Sequence, residues 1–147
     1  MFKHLLVPTD GTALSQATAA QAVAFARSCG ARVTFFHVAA QAPAIQGAAG
    51  ALADPTIAKA FQDKVDAAAH QALSSAASAA AEAGVVCHTE LMHGNQPAEA
   101  IVQAAARLEC DLIFMASHGR RGVSALLLGS ETNKVLTHCK IPVLVYR

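Results

Sequence analysis

With 147 residues, 54% hydrophobic and 14% charged side chains, the chain can fill one core and is too apolar to stay disordered, so residues 1–147 read as one domain. A formal net charge of +1, with no more than two basic residues in a row, lacks the footprint of a nucleic-acid binder. Cys29, Cys87, Cys110 and Cys139 are scattered without a C-x-x-C pair, which predicts reduced thiols and a cytoplasmic protein rather than a disulfide scaffold or metal centre.

Residues 2–7 (Phe-Lys-His-Leu-Leu-Val) are apolar, too short for an export signal, and end at Pro8-Thr9-Asp10, so they read as a first strand. An alanine-rich helix is expected from Gly11 to about Ser28, stopped by Gly30; Asp10 stands where it could cap that helix, serve a ligand, or both. Arg32–Val38, with Val, Thr and two Phe, reads as a second strand. Residues 39–53, with Pro43, Gly47 and Gly50 among small residues, read as a loop with room to move.

Asp54-Pro55 is a helix start of cap followed by proline, and Gly84 is its stop. Between them Ile57, Phe61, Val65, Ala69, Ala72, Ala76 and Ala80 form one face, which predicts close packing on a sheet. The stretch Ala67–Ala83 has Leu73 as its single bulky apolar residue, which excludes a membrane span. Val85–Leu91 reads as a third strand, Gly94–Pro97 as a turn and helix start, and Ile101, Val102, Ala105 and Leu108 as a core-facing helical stripe. Residues 111–116 form a fourth strand, 131–138 a last helix and 141–146 a fifth strand. The order β-α-β-α-β-α-β-α-β predicts an α/β fold: a parallel sheet covered on both faces by helices.

The stretch Ala116-Ser117-His118-Gly119, nine further residues, then Gly129-Ser130 lies between a buried strand and a helix. Holding an anion requires several backbone N–H groups to converge, and glycines let the main chain come close enough. With Ser130 as cap, the positive end of the last helix would face this loop, which reads as a phosphate-binding site. Glycine spacing alone also fits plain turn residues.

Val7-Pro8-Thr9-Asp10, Phe36-His37-Val38 and Met115 through Ser130 together resemble the universal stress protein family over essentially the whole chain. Its nucleotide-binding branch carries Gly, two residues, Gly, nine residues, Gly-Ser or Gly-Thr. Gly119 and Gly129-Ser130 fit; Ala116 stands in place of the first glycine. The resemblance implies a doubly wound sheet of strand order 3-2-1-4-5, with a crevice where the carboxyl ends of strands one and four meet. It further implies that Asp10, with Thr9 beside it, meets the ribose or base side of an adenosine, that Pro8 and Val38 line the adenine pocket, and that Met115 lies against the ligand. Gly119, Gly129, Ser130 and the backbone of Glu131 would hold ribose and phosphates, with Ala116 and His118 alongside and magnesium bridging the phosphates. Independently of the resemblance, Arg120 and Arg121 sit inside the loop, where their guanidinium groups either clamp phosphate or are plain solvated side chains.

The function so implied is an ATP-binding stress-response regulator that hydrolyses ATP slowly at most. The alternative is a dimeric interaction protein in which Ala116 disables the site, either by strain at a positive φ or by a methyl group pressing on the ligand. Two copies would pair through strand 142–146, with neither membrane nor nucleic acid as partner. No nucleophile and orienting carboxylate accompany His118, so no catalytic residue is expected. His4, His37, His88 and His93 lack metal-ligand spacing. A flavin carrier, a receiver domain and a P-loop enzyme are disfavoured: Thr9–Thr12 is a poor flavin loop, Leu91-Met92-His93 lacks the acidic residue, and Gly-Lys-Ser/Thr does not occur.

Overall fold

Leu5, Leu6 and Val7 of β1 (His4–Pro8) are consecutive and completely buried, so this strand must be covered on both faces. In the computed structural model, which describes residues 1–42, 54–119 and 128–147, it is followed by α1 (Ala13–Cys29), β2 (Arg32–Ala39), α2 (Pro55–Glu82), β3 (Cys87–His93), α3 (Pro97–Arg107), β4 (Leu112–Ala116), α4 (Ser130–His138) and β5 (Val143–Tyr146). The strands form one parallel sheet in the order β3-β2-β1-β4-β5, the order the resemblance implies. Most of the expected loop at 39–53, from Pro43 onward, lies outside the described residues.

Alternate strand residues feed two cores. Leu5, Val7, Phe35 and Phe114 pack with Ala22, Val23 and Ala26 of α1 and with Leu73, Ala76 and Ala80 of α2. Leu6, Phe36, Ile113 and Met115 pack on the opposite face with Ile101 and Ala104 of α3 and Val135 of α4. Burial of Phe35 and Phe36 contributes roughly 2–3 kcal/mol each before entropy is counted. Among the described residues no helix is long and apolar enough to cross a membrane.

The helical face expected on α2 holds from Ala69 onward, with Leu73 rather than Ala72 as its buried member. Ile57 and Phe61, expected in the core, are 42% and 45% exposed. The reason is length: 28 helical residues span roughly 42 Å, whereas an eight-residue strand spans about 26 Å, so the start of α2 overshoots the sheet it covers. The third strand runs two residues later than expected, leaving Val86 exposed.

At the amino edge of the sheet the polar groups satisfy one another. Asp111 accepts the N–H groups of Lys3 and His4 at 2.8 and 2.9 Å. Buried His4 lies between Arg32, whose guanidinium donates to Nδ1 at 3.2 Å, and Thr34, whose hydroxyl oxygen is 2.8 Å from Nε2. Because arginine can only donate, His4 is the neutral tautomer with its proton on Nε2.

Candidate functional site

At the opposite, carboxyl edge, β1 and β4 are neighbours whose following connections lead to opposite faces, so a crevice opens between them. A cavity of about 430 Å³ occupies it, within the roughly 300–1,000 Å³ range of small-molecule sites. Pro8, Thr9, Asp10, Val38, Met115, Ala116, His118, Gly119, Gly129, Ser130 and Glu131 all line it, although they come from four separate stretches of sequence. Arg120, assigned with them, lies outside the described residues.

The β1 end is held by a chain of hydroxyl groups. Thr12 caps α1: its Oγ1 accepts the Ser15 N–H at 3.2 Å and donates to Asp10 Oδ1 at 2.6 Å, an atom that also accepts the Thr12 N–H at 3.0 Å. The Ser15 hydroxyl accepts the Asp10 N–H at 3.0 Å and pairs with buried Thr9 at 2.6 Å. Asp10 is therefore not the helix cap that its position suggested. Its carboxylate braces the cap, and a helix-capping side chain reaches only the amides of its own first turn, which start after Thr12.

The β4 end has glycines where a side chain would collide. A Cβ on Gly119 would stand 2.8 Å from Asp10 Oδ2, which brings the two ends of the crevice into contact. A Cβ on Gly129 would stand 3.0 Å from the His118 Cα, and the Gly129 N–H donates to the Ser117 carbonyl at 2.8 Å. Close approach, not a positive φ, is what both positions demand.

Gly129, not Ser130, is the N-cap of α4; its carbonyl accepts the Asn133 N–H at 2.9 Å, and Ser130 begins the helix as an exposed first residue. The main chain at Gly129 is already extended and pressed on Ser117-His118, so the helix starts one residue earlier than the serine signal suggested. The first turn is locked from two sides. The Thr132 hydroxyl donates to the Ala116 carbonyl at 3.0 Å, and Glu131 Oε2 accepts the Ala98 N–H at 2.9 Å. The latter supplies α3 with the cap its own Gln96 does not provide, and Lys134 takes the other carboxylate oxygen at 2.9 Å. The positive end of α4 thus faces the cavity with the Glu131 charge engaged on α3 and Lys134.

Ala116 carries no strain: among the described residues Glu109 is the sole non-glycine with positive φ, and Ala116 keeps strand pairing with Tyr146. What distinguishes it from glycine is one methyl group at the cavity wall.

Sequence reasoning missed Ser15, Phe36, Ala40, Gly94, Asn95, Pro97, Ile101 and Thr132, which complete the lining. Gly94 and Asn95 were legible, since a turn following a parallel strand sits at the same carboxyl edge; there the Gly94 N–H donates to the Ala39 carbonyl and Asn95 Oδ1 accepts the Gln41 N–H. Thr132 had no local signal. A larger depression of about 610 Å³ lies between α1 and α2, away from the strand ends and opening widely to solvent. Four alanines and Val23 line most of it, with Arg27 and Ser28, both from the end of α1, as its polar residues.

A profile described as the Universal stress protein family matches residues 1–147. A curated relative, the universal stress protein in the QAH/OAS sulfhydrylase 3′ region of Thermus aquaticus, is 34% identical over 147 residues and covers 100% of both chains. Among solved structures, the universal stress protein UspA from Lactobacillus plantarum superposes with a TM-score of 0.76 at 25% identity, covering 99% of this chain and 98% of its own. Two more distant neighbours share the fold: the Archaeoglobus fulgidus universal stress protein in complex with dAMP (18% identity, TM-score 0.70, 100% and 98% covered) and the Arabidopsis thaliana family member with AMP bound (17%, 0.69, 97% and 90%). From the match over its whole length and the sheet order, the chain belongs to the universal stress protein family.

Proposed function

We propose that this protein is an adenine-nucleotide-binding regulator that holds ATP in the cavity between the ends of β1 and β4, with slow hydrolysis as the upper limit of its chemistry. The observation that carries the reading is the meeting of Asp10 with Gly119 across the crevice, with the α4 amino terminus beside them. Asp10 would take ribose hydroxyls, and Pro8, Val38 and Met115 would flank the adenine. The Gly129, Ser130 and Glu131 amides would take phosphates, and a magnesium ion bound with the nucleotide would neutralise part of the phosphate charge. The dAMP and AMP complexes of two fold neighbours support an adenine nucleotide as the ligand class.

The unstrained backbone at Ala116 supports this reading over one in which the site is disabled. β5 lies at a sheet edge with Val143–Tyr146 half-buried, which supports pairing of two copies about a two-fold axis there. A cytoplasmic location belongs to the same proposed reading. The test is to denature purified protein and identify the released small molecules, then titrate stripped protein with ATP with and without magnesium. Adenine nucleotide in the extract or a saturating titration is expected; absence of both removes the proposal. A monomeric mass at micromolar concentration would remove the pairing.

A further inference from the structure

We propose that Thr12, which does not line the cavity, is the positioning residue that gives the site its selectivity for a ribose hydroxyl, by fixing the rotation of the Asp10 carboxylate. This rests on the proposed nucleotide reading and deepens it. Asp10 Oδ1 receives two donors from Thr12, the N–H at 3.0 Å and the hydroxyl at 2.6 Å. The Thr12 hydroxyl has one proton and gives it to Asp10, while its lone pair takes the Ser15 N–H. With Oδ1 turned to the start of α1, Oδ2 is directed toward the Gly119 backbone, close enough that a Cβ there would collide with it.

A carboxylate that must be ordered at the moment of binding loses rotamer freedom then; one already held loses none. Because two acceptor oxygens on one carbon differ only by rotation, locking one of them determines where the other stands. Thr12 thereby links helix capping to ligand selection: the hydrogen bond that starts α1 also aims the acceptor in the crevice. The rest of the ring, Ser15 on the Asp10 N–H and Thr9 on Ser15, holds the main chain of Asp10.

The experiment compares ATP, 2′-deoxy-ATP and 3′-deoxy-ATP by calorimetry on the wild type, Thr12→Val, Thr12→Asp and Thr12→Ser, with thermal unfolding of each. Thr12→Asp keeps an acceptor for the Ser15 N–H and has no proton to give Asp10, so it separates positioning from capping if the valine variant folds poorly. Expected is a loss of about tenfold for ATP in the valine and aspartate variants relative to their loss for the deoxy nucleotide lacking the selected hydroxyl, with recovery to within about threefold of wild type in Thr12→Ser. Equal losses for all three nucleotides would overturn the positioning role and leave nucleotide binding standing. A wild type that binds ATP and both deoxy analogues equally would overturn the selectivity, and a wild type that binds none of them would overturn the nucleotide reading itself.

Discussion

The two edges of the sheet each contain an aspartate whose carboxylate accepts from the main chain, two N–H groups at Asp111 and one N–H with a hydroxyl at Asp10. At the amino edge Asp111 ties the start of β4 to Lys3 and His4, and His4 in turn joins Arg32 and Thr34, so the cluster bonds across strands. At the carboxyl edge Asp10 makes comparable bonds to Thr12, but the connections that follow β1 and β4 part toward opposite faces and a cavity of about 430 Å³ remains. The chemistry is alike; the topology differs. At the amino edge the polar groups that start β1, β2 and β4 close on one another and contribute stability. Where the exits of β1 and β4 diverge, similar groups face a space that a ligand can fill.

Changes that remove the close approach at the carboxyl edge should have the largest effect. Gly119→Val and Gly129→Val are each expected to lower ATP affinity by about a hundredfold or more in a calorimetric titration, the first by driving Asp10 aside and the second by pushing the α4 start off His118. Gly129→Val should also lower the unfolding free energy by roughly 1–3 kcal/mol, because its neighbour is backbone that cannot rotate away. Retained affinity in both variants would detach the glycines from the ligand.

The amino edge should respond in the opposite way. Asp111→Ala leaves two backbone N–H groups without their acceptor and is expected to cost about 1–2 kcal/mol in denaturant unfolding, while ATP affinity changes by less than about twofold. A parallel loss of affinity would show that the edges are coupled. Glu131→Gln bridges the two cases. It weakens the acceptor at Ala98, so about 1 kcal/mol of stability and a few-fold of affinity should be lost together.

Acid should act first at the amino edge. Burial, then the charge of Arg32, lowers the His4 pKa below its ordinary 6.5. The unfolded chain therefore binds the proton more readily, and stability present above 6.5 is lost as pH falls through the lowered folded value. For Asp111 burial works upward, but the His4 and Lys3 amides outweigh it and hold the carboxyl below 3.8, so its contribution is present above 3.8 and lost as pH falls below that. His4→Gln should flatten the part of the stability profile just below pH 6.5, measured by denaturant unfolding. The smallest effect is expected of Ala116→Gly: removing one unstrained methyl should raise ATP affinity by no more than about threefold. ATP binding by the glycine variant alone would instead favour the disabled-site reading.

The alternation of elements was legible because burial on both faces writes continuous apolar runs such as Leu5-Leu6-Val7, and helix stops such as Gly30 are local. Cap identity was legible in type and off in place. Aspartate and serine mark a helix start, but whether Asp10 or Thr12 caps α1, and whether Gly129 or Ser130 caps α4, depends on where the chain leaves the strand before it. Ile57 and Phe61 followed the helical period faithfully and still fell outside the core, since periodicity says which face is apolar and nothing about how far the sheet extends beneath it.

By itself the sequence determined five strand-forming runs, four helices, the parallel class and two glycines beside a helix amino terminus, all properties of contacts a few residues apart. The family resemblance implied that the ends of β1 and β4 meet; the tertiary structure alone decided how closely Gly119 approaches Asp10 across 109 positions of sequence, that Glu131 caps α3, and that Asn95 and Thr132 complete the cavity wall. Those contacts exist because β1 and β4 became neighbours in the sheet, and strand order is a choice among global packings that no local pattern encodes.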